Sequence, residues 1–138
     1  MKVTSFAPLG DLIIVQAMVW GPRGHADLRL ALDTGSAHTL ILPEIMDELG
    51  FNPRNGVAIT GVYSAIGKEQ GYLMKVPRFT ALGFTRTDFP IHVFDLADRY
   101  EIEGLLGLSF LHWLDYTVRS SEGQILAEET AASPASIR

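Results

Sequence analysis

Apolar positions along this chain come in short runs broken by turn residues, a pattern that predicts strands far more often than helices. Leu12 to Trp20, interrupted only by Gln16, is rich in β-branched residues and predicts a strand. Gly21-Pro22-Arg23-Gly24 is a turn, and Ala26 to Leu32 is the returning strand, which delivers Asp33. Thr39 to Leu42 predicts a short buried strand. Pro43 suits the first position of a helix, Glu44 its first turn and Gly50 its stop, with Ile45, Met46 and Leu49 on one apolar face. Phe51 to Gly56 is a loop. Val57 to Tyr63 and Gly71 to Val76 are strands joined by a flexible linker, Ser64 to Gln70. Phe79 to Phe84 and Phe89 to Phe94 add two more, and Asp95 to Glu103 is a polar loop. Ser109 can cap a short helix running to Leu114. Tyr116 to Arg119 and Gln124 to Ala127 flank the turn Ser120 to Gly123 as a last hairpin.

Many short strands with one or two short helices predict a small closed all-β domain. The 138 residues suffice for one domain with one sizeable core, and 47% of them are apolar. Residues 1–128 form the expected domain. Residues 129–138, rich in Ala, Ser and Thr, form an expected disordered tail. The sequence has no internal repeat. The absence of cysteine removes disulfides, thiol nucleophiles and Cys-based metal sites. A net charge of −5 without a Lys/Arg cluster argues against a nucleic-acid partner. The longest apolar stretch is too short to span a bilayer, so no membrane partner is expected. Met1-Lys2 lacks the features of a signal peptide, and the expected location is the cytoplasm.

The chemistry centres on Asp33-Thr34-Gly35-Ser36. A strand ending in these residues puts a carboxylate at a tight turn, where it can stand at the floor of a cleft. Glycine there permits a positive φ and a close backbone approach. The same four residue types also make ordinary hairpin turns, and this motif alone does not separate the two readings. The balance shifts with Gly104-Leu105-Leu106-Gly107-Leu108-Ser109-Phe110-Leu111, about half a chain downstream. Together the two motifs resemble the signature of the retropepsin-like aspartic proteases, from about Leu12 to Ala127. That family has an early apolar-Asp-Thr-Gly-Ser/Ala and a later pair of apolar residues with glycine.

The resemblance implies a one-lobe acid-protease barrel acting as a homodimer on peptide or protein substrates. Peptide hydrolysis without metal, cofactor or covalent intermediate needs an acid and a base together, and two carboxylates sharing a proton supply both. The chain has one Asp-Thr-Gly, and Asp88, Asp95, Asp98 and Asp115 have no such sequel, so the second carboxylate must come from another copy. By resemblance, Asp33 is the catalytic acid and Thr34 braces the pair across the dimer axis. Gly35 admits the substrate backbone, and Ser36 hydrogen-bonds near the carboxylate. Leu105, Leu106 and Gly107 support the loop from below. Tyr63, Ser64, Ala65, Ile66 and Gly67 form a flap that contacts the substrate; an ordinary exposed hairpin is the equal alternative from the residues alone. Viral members carry an Asp and an Arg that stiffen the dimer, where this chain has Ala37 and Leu108.

Other site types lack their signatures. His25, His38, His92 and His112 have no metal-ligand spacing, and only His38, five residues past Asp33, is a candidate for a substrate pocket. Gly-x-Ser-x-Gly and a Gly-rich phosphate loop are absent, and the likeness of residues 32–36 to the phosphate loop of actin-like kinases would need a far longer chain. Two further readings stay open: a non-catalytic dimeric module that binds peptides in the same cleft, and a monomeric β-domain whose turn happens to match.

Overall fold

The structure is a computed structural model that describes residues 1–56, 58–64, 67–96 and 101–130; for residues 55, 58–64 and 67–70 it describes the backbone alone. Ten strands and two short helices follow one another along these residues. They are β1 (Lys2–Ser5), β2 (Ile14–Gly21), β3 (Gly24–Leu32), β4 (Leu40–Ile41), α1 (Pro43–Glu48), β5 (Ala58–Ser64), β6 (Gly67–Ala81), β7 (Phe84–Val93), β8 (Gly104–Leu106), α2 (Leu108–Leu111), β9 (Leu114–Arg119) and β10 (Gln124–Glu129). A single 3₁₀ turn at Pro53–Asn55 precedes β5.

The main sheet runs β2-β3-β8-β4-β7-β6-β5, and β6 also pairs with β2. That extra pairing closes six strands into a barrel, and β5 stands outside as an extension of β6. A closed sheet leaves few backbone groups unpaired. Alternation along the strands fills the interior: Val15, Ala17 and Val19 of β2 and Leu28 and Leu30 of β3 are buried. Beside them, with Phe79 paired to Val19 across β2 and β6, Phe79, Phe89 and Phe110 form an aromatic cluster. Phe79 stacks on Phe89 at 5.1 Å, and both meet Phe110 edge-on at 5.5 and 5.8 Å. The cluster ties α2 to β6 and β7.

Helix α1 follows its local signals. Pro43 opens it, Met46 and Leu49 are buried, and Ile45 packs partly against the core. Gly50 takes φ +87°, its N–H donates to Asp47 O, and the Phe51 N–H donates to Met46 O at 3.1 Å. This is a Schellman ending, and it explains the glycine.

Other expectations need correction. Gly71–Val76 and the start of Phe79–Phe84 belong to one strand, β6, which passes straight through Pro77. Proline lacks an N–H, and Pro77 lies between the β6 segment paired with β5 (Gly67–Leu73) and the segment paired with β2 (Arg78–Ala81). Phe84 is already on β7, because Leu82 and Gly83 form a two-residue turn with φ +53° and +84°. The linker Ser64–Gln70 is mostly strand. Ser64 pairs with Gly67, and only Ala65 and Ile66 of it lie outside the described residues.

Lys2–Ser5, not expected as a strand, pairs with β10, and β10 pairs with β9, forming a second, three-stranded sheet. β10 continues to Glu129, whose carboxylate lies 3.1 Å from the buried Arg86, and the Thr130 N–H donates to Trp113 O. The rest of the expected tail, 131–138, lies outside the described residues. No helix among the described residues is long and apolar enough to cross a membrane.

Candidate active site

Asp33 stands at the end of β3, on the loop that leads to β4. The path of that loop is set by β8. Leu30, Ala31 and Leu32 of β3 run parallel to Gly104, Leu105 and Leu106, while Leu40 and Ile41 of β4 run antiparallel to Leu105 and Gly104. One three-residue strand therefore lies between the two stems of the loop. Its neighbours continue the grip: the Asp33 N–H donates to Leu106 O at 2.9 Å, Leu108 N–H to Ser36 O at 2.8 Å, and Ser109 N–H to Ala37 O at 3.0 Å. On the other side, the Leu32 N–H donates to Ile13 O at 2.8 Å.

Both glycines of the downstream motif exist for lack of room. A methyl group on Gly104 would run into the Leu40 carbonyl oxygen. One on Gly107 would run into that of His38 and come within 2.8 Å of Ser36 O. Leu106 is fully buried and Leu105 half-buried. The structure thus brings Leu105, Leu106 and Gly107 directly beneath the Asp33 loop.

Within the loop, Asp33 is half-exposed, and Thr34 and Gly35 are exposed. The Gly35 N–H donates to Asp33 Oδ1 at 2.9 Å, and the Ser36 N–H to the Asp33 carbonyl at 3.2 Å. These bonds make an Asx turn that orients the carboxylate and leaves Oδ2 without a partner inside the loop. Gly35 is not among the residues with positive φ. Its glycine character instead reflects proximity, since an added Cβ would sit 3.3 Å from Asp33 Oδ1. The Ser36 hydroxyl turns away from the carboxylate and donates to His38 O at 2.9 Å.

Two residues that brace the loop escaped the sequence reading. Thr39 is wholly buried. Its Oγ1 accepts from the Gly107 N–H at 3.3 Å and from the Ser109 hydroxyl at 2.9 Å, and its N–H donates to Ser109 Oγ at 3.0 Å. Ser109 is therefore no helix cap. Gly107 occupies the cap position of α2, which is only four residues long and ends at Leu111. The one available signal was a hydroxyl residue opening the apolar run Leu40–Leu42.

The histidines form no cluster. His25 lies near Trp20, His112 near Trp113, and His38 stacks on His92 of β7 at 3.8 Å. Burial, and then the neighbouring His38, push the His92 pKa below its ordinary value. Its Nδ1 is buried without a hydrogen-bond partner. Among the described residues no three His, Asp or Glu side chains gather to hold a metal.

Of the expected flap, Tyr63 and Ser64 end β5 and Gly67 begins β6; Ala65 and Ile66 lie outside the described residues. The pairing of β6 with β7 starts only at Tyr72, so residues 60–64 and 67–71 form a two-stranded ribbon that leaves the barrel.

The family model described as aspartyl protease matches residues 15–110. The chain belongs to the aspartyl protease family. Among solved structures, it is similar to a retropepsin-like aspartic protease from Rickettsia conorii. That match has a TM-score of 0.66 at 19% identity and covers 90% of this chain and 96% of that one. No curated protein matches the chain by sequence. The matched span of this aspartyl protease runs from β2 into α2 and so holds Asp33, β8 and the bonds that tie the Asp33 loop to Leu106, Leu108 and Ser109. The expected fold, an all-β retropepsin-like barrel with two short helices, is the one observed, and the protein is a hydrolase of the aspartic protease type.

Proposed function

We propose that this aspartyl protease is an endopeptidase whose attacking water is activated between two Asp33 carboxylates, one from each subunit of a homodimer. The observation that carries the reading is the single Asp33, oriented by Gly35 N–H and fixed through Leu106 O, with one Asp-Thr-Gly in the chain. One ionised Asp33 takes a proton from water as the oxygen attacks the peptide carbonyl. The protonated Asp33 of the other subunit gives its proton to the carbonyl oxygen. Collapse of the tetrahedral gem-diol then breaks the C–N bond: the amine nitrogen takes the proton from the Asp33 that had accepted it from water, one gem-diol hydroxyl gives its proton to the other Asp33, and the pair is again singly protonated.

Thr34 and Gly35 are exposed beside Asp33; in this reading Thr34 bonds across the dimer axis and Gly35 admits the substrate backbone. Ser36 acts through the loop, since its hydroxyl is engaged with His38 O. The ribbon carrying Tyr63, Ser64 and Gly67, together with Ala65 and Ile66, is the proposed cover for the substrate. The proposed setting is the cytoplasm, in keeping with a chain that has no cysteine.

The test is cleavage of mixed peptides by wild type and by Asp33→Asn, with and without a transition-state inhibitor of aspartic proteases. Wild type is expected to cleave and to be inhibited, and the variant to bind peptide without cleaving it. Peptide binding with no cleavage by wild type would leave a non-catalytic module instead. A shared proton also requires a bell-shaped pH–rate profile, since the rate falls when both carboxylates are protonated and again when both are ionised. A rate that keeps rising well above neutrality would sink the mechanism.

A further inference from the structure

Residues paired across the main sheet put their side chains on one side of it. Ala31, Leu105, Leu40, His92 and Leu73 form such a row, each paired with the next across β3, β8, β4, β7 and β6. The neighbouring row, Leu30, Gly104, Ile41 and Val93, faces the core. Ala31 and Leu40 are buried too, yet neither belongs to the core cluster, and the half-buried Leu73 and Leu105 do not pack against it. Their row therefore lies on the other side of the sheet. Asp33, two residues beyond Ala31 and still bonded to Leu106 O, leaves the sheet on that same side.

His92 is the one polar side chain in this row. It is half-buried, and His38, exposed on the Asp33 loop, lies flat on it with ring centroids 3.8 Å apart. The His92 ring is thus a platform that limits where His38 can stand. Burial, and then His38, hold the His92 pKa low, and its Nδ1 has no hydrogen bond to help it keep a proton. A proton taken up by the pair therefore resides on His38. Among the described residues neither ring makes an ion pair. Within two residues of the row, the formally charged groups on this side are Asp33, Arg29, Glu103 and Lys75. Arg29 Nη1 donates to Glu101 O at 3.1 Å, and Glu103 Oε1 accepts from the Arg29 N–H at 2.9 Å. Lys75 lies two residues along β6 from Leu73, beyond β7 as seen from His38.

We infer that His38, held on the His92 ring, contacts the substrate beside Asp33 and selects a side chain that carries a carboxylate. The inference rests on the endopeptidase reading above and adds which substrates that endopeptidase favours. Leu73 and Leu105 offer apolar surface to the methylenes of a glutamate, and the imidazolium of His38 meets its charged end. A hydrogen bond between two charged groups is about twice as strong as one between neutral groups. Histidine changes its charge between about pH 5 and pH 8, so the preference for glutamate belongs to the acid side of that range. His92 acts through His38 and is a positioning residue.

The experiment uses peptide pairs built on a sequence that the wild type cleaves, with Glu or Gln at successive positions on both sides of the cleaved bond. The two peptides of a pair compete in one mixture with the full chain, and the ratio of their kcat/KM values is read at about pH 5, 6 and 7.5. Over this range a substrate glutamate, with an ordinary pKa of about 4.3, is itself ionised. At one position the wild type should favour Glu about fivefold or more at the acid end and lose most of that preference at the other. Ionisation of Asp33 also repels a glutamate as pH rises, so the assignment lies in the variants. His38→Gln should abolish the preference for Glu, and His38→Lys should restore it and extend it to neutral pH. His92→Ala should lower the ratio at acid pH, whereas His92→Phe, which keeps a ring beneath His38, should retain it. A wild type that favours Glu at no position would overturn the inference. So would a His38→Gln ratio that follows the wild-type course, since the preference would then belong to Lys75 or Arg29. Circular dichroism reports whether each variant is folded; if His38→Gln is not, the absence of a Glu preference in folded His38→Lys overturns the inference by itself. Folded wild type that cleaves no peptide at any pH would remove the endopeptidase reading, and the inference with it.

Discussion

β8 is three residues long and β6 fifteen, yet the shorter strand decides where Asp33 stands. β8 has a neighbour on each side, and the residues just beyond it bond to the loop they support. Gly104 at its start and Gly107 just past its end have carbonyl oxygens where a Cβ would be. The far end of β6 is the opposite case. Residues 67–71 pair with β5 alone, and β5 is the outer edge of the sheet. A two-stranded ribbon without a third layer is marginally stable by itself. Precision in this protein therefore comes from enclosure on both sides and not from the length of an element. Asp33, the proposed catalytic carboxylate, sits on a loop enclosed on both sides, and the proposed cover sits at an edge of the sheet.

The strongest way to break the contrast is Gly107→Ala. The added methyl meets the His38 carbonyl, a backbone atom that cannot rotate away. A loss of about 3 kcal/mol or more in urea unfolding is expected, together with loss of cleavage. A variant of wild-type stability would mean that the loop is less constrained than its geometry implies.

Next comes Thr39→Val, which keeps the shape and removes the acceptor of Gly107 N–H and Ser109 Oγ–H. Leaving buried donors without partners should cost about 1–3 kcal/mol by the same measurement. A loss below that range would place the grip in the backbone bonds alone.

A smaller effect is expected from the stack of His38 on His92, which joins the loop to β7. Because burial and His38 lower the His92 pKa, the folded chain takes up this proton less readily than the unfolded chain. Stability should therefore fall as pH drops below the ordinary histidine value of about 6.5. It should stop falling from this source once the pH passes the folded value. His92→Gln should make the acid slope shallower by less than one proton. An unchanged slope would show that His92 does not carry it.

The mildest test alters nothing. Hydrogen exchange should release the amides of residues 60–64 well before those of Leu30–Leu32 and Gly104–Leu106. Equal protection would erase the comparison.

Much of this was legible in the residues. The β2–β3 hairpin, the strand that delivers Asp33, the α1 helix with its glycine stop and the all-β class follow from β-branching, alternation, proline and glycine, all of which act within a few neighbours. The two motifs named Asp33, Gly104 and Gly107 before any packing was known. Tertiary structure decided the rest. Leu82 turns the chain with a positive φ although no local preference favours it, because its side chain is 2% exposed and held by the core. Pro77 stays within β6 because it falls where the strand's neighbour changes from β5 to β2. Lys2–Ser5 becomes a strand only through β10, more than a hundred positions away in the chain. The hydroxyl of Ser109 meets Thr39 across a separation of 70 residues, whereas its immediate neighbours alone suggest a helix cap. Local sequence determines which backbone shapes are easy. Which hydroxyl faces which amide, and which glycine has no room, is determined by the partners that the closed barrel brings together.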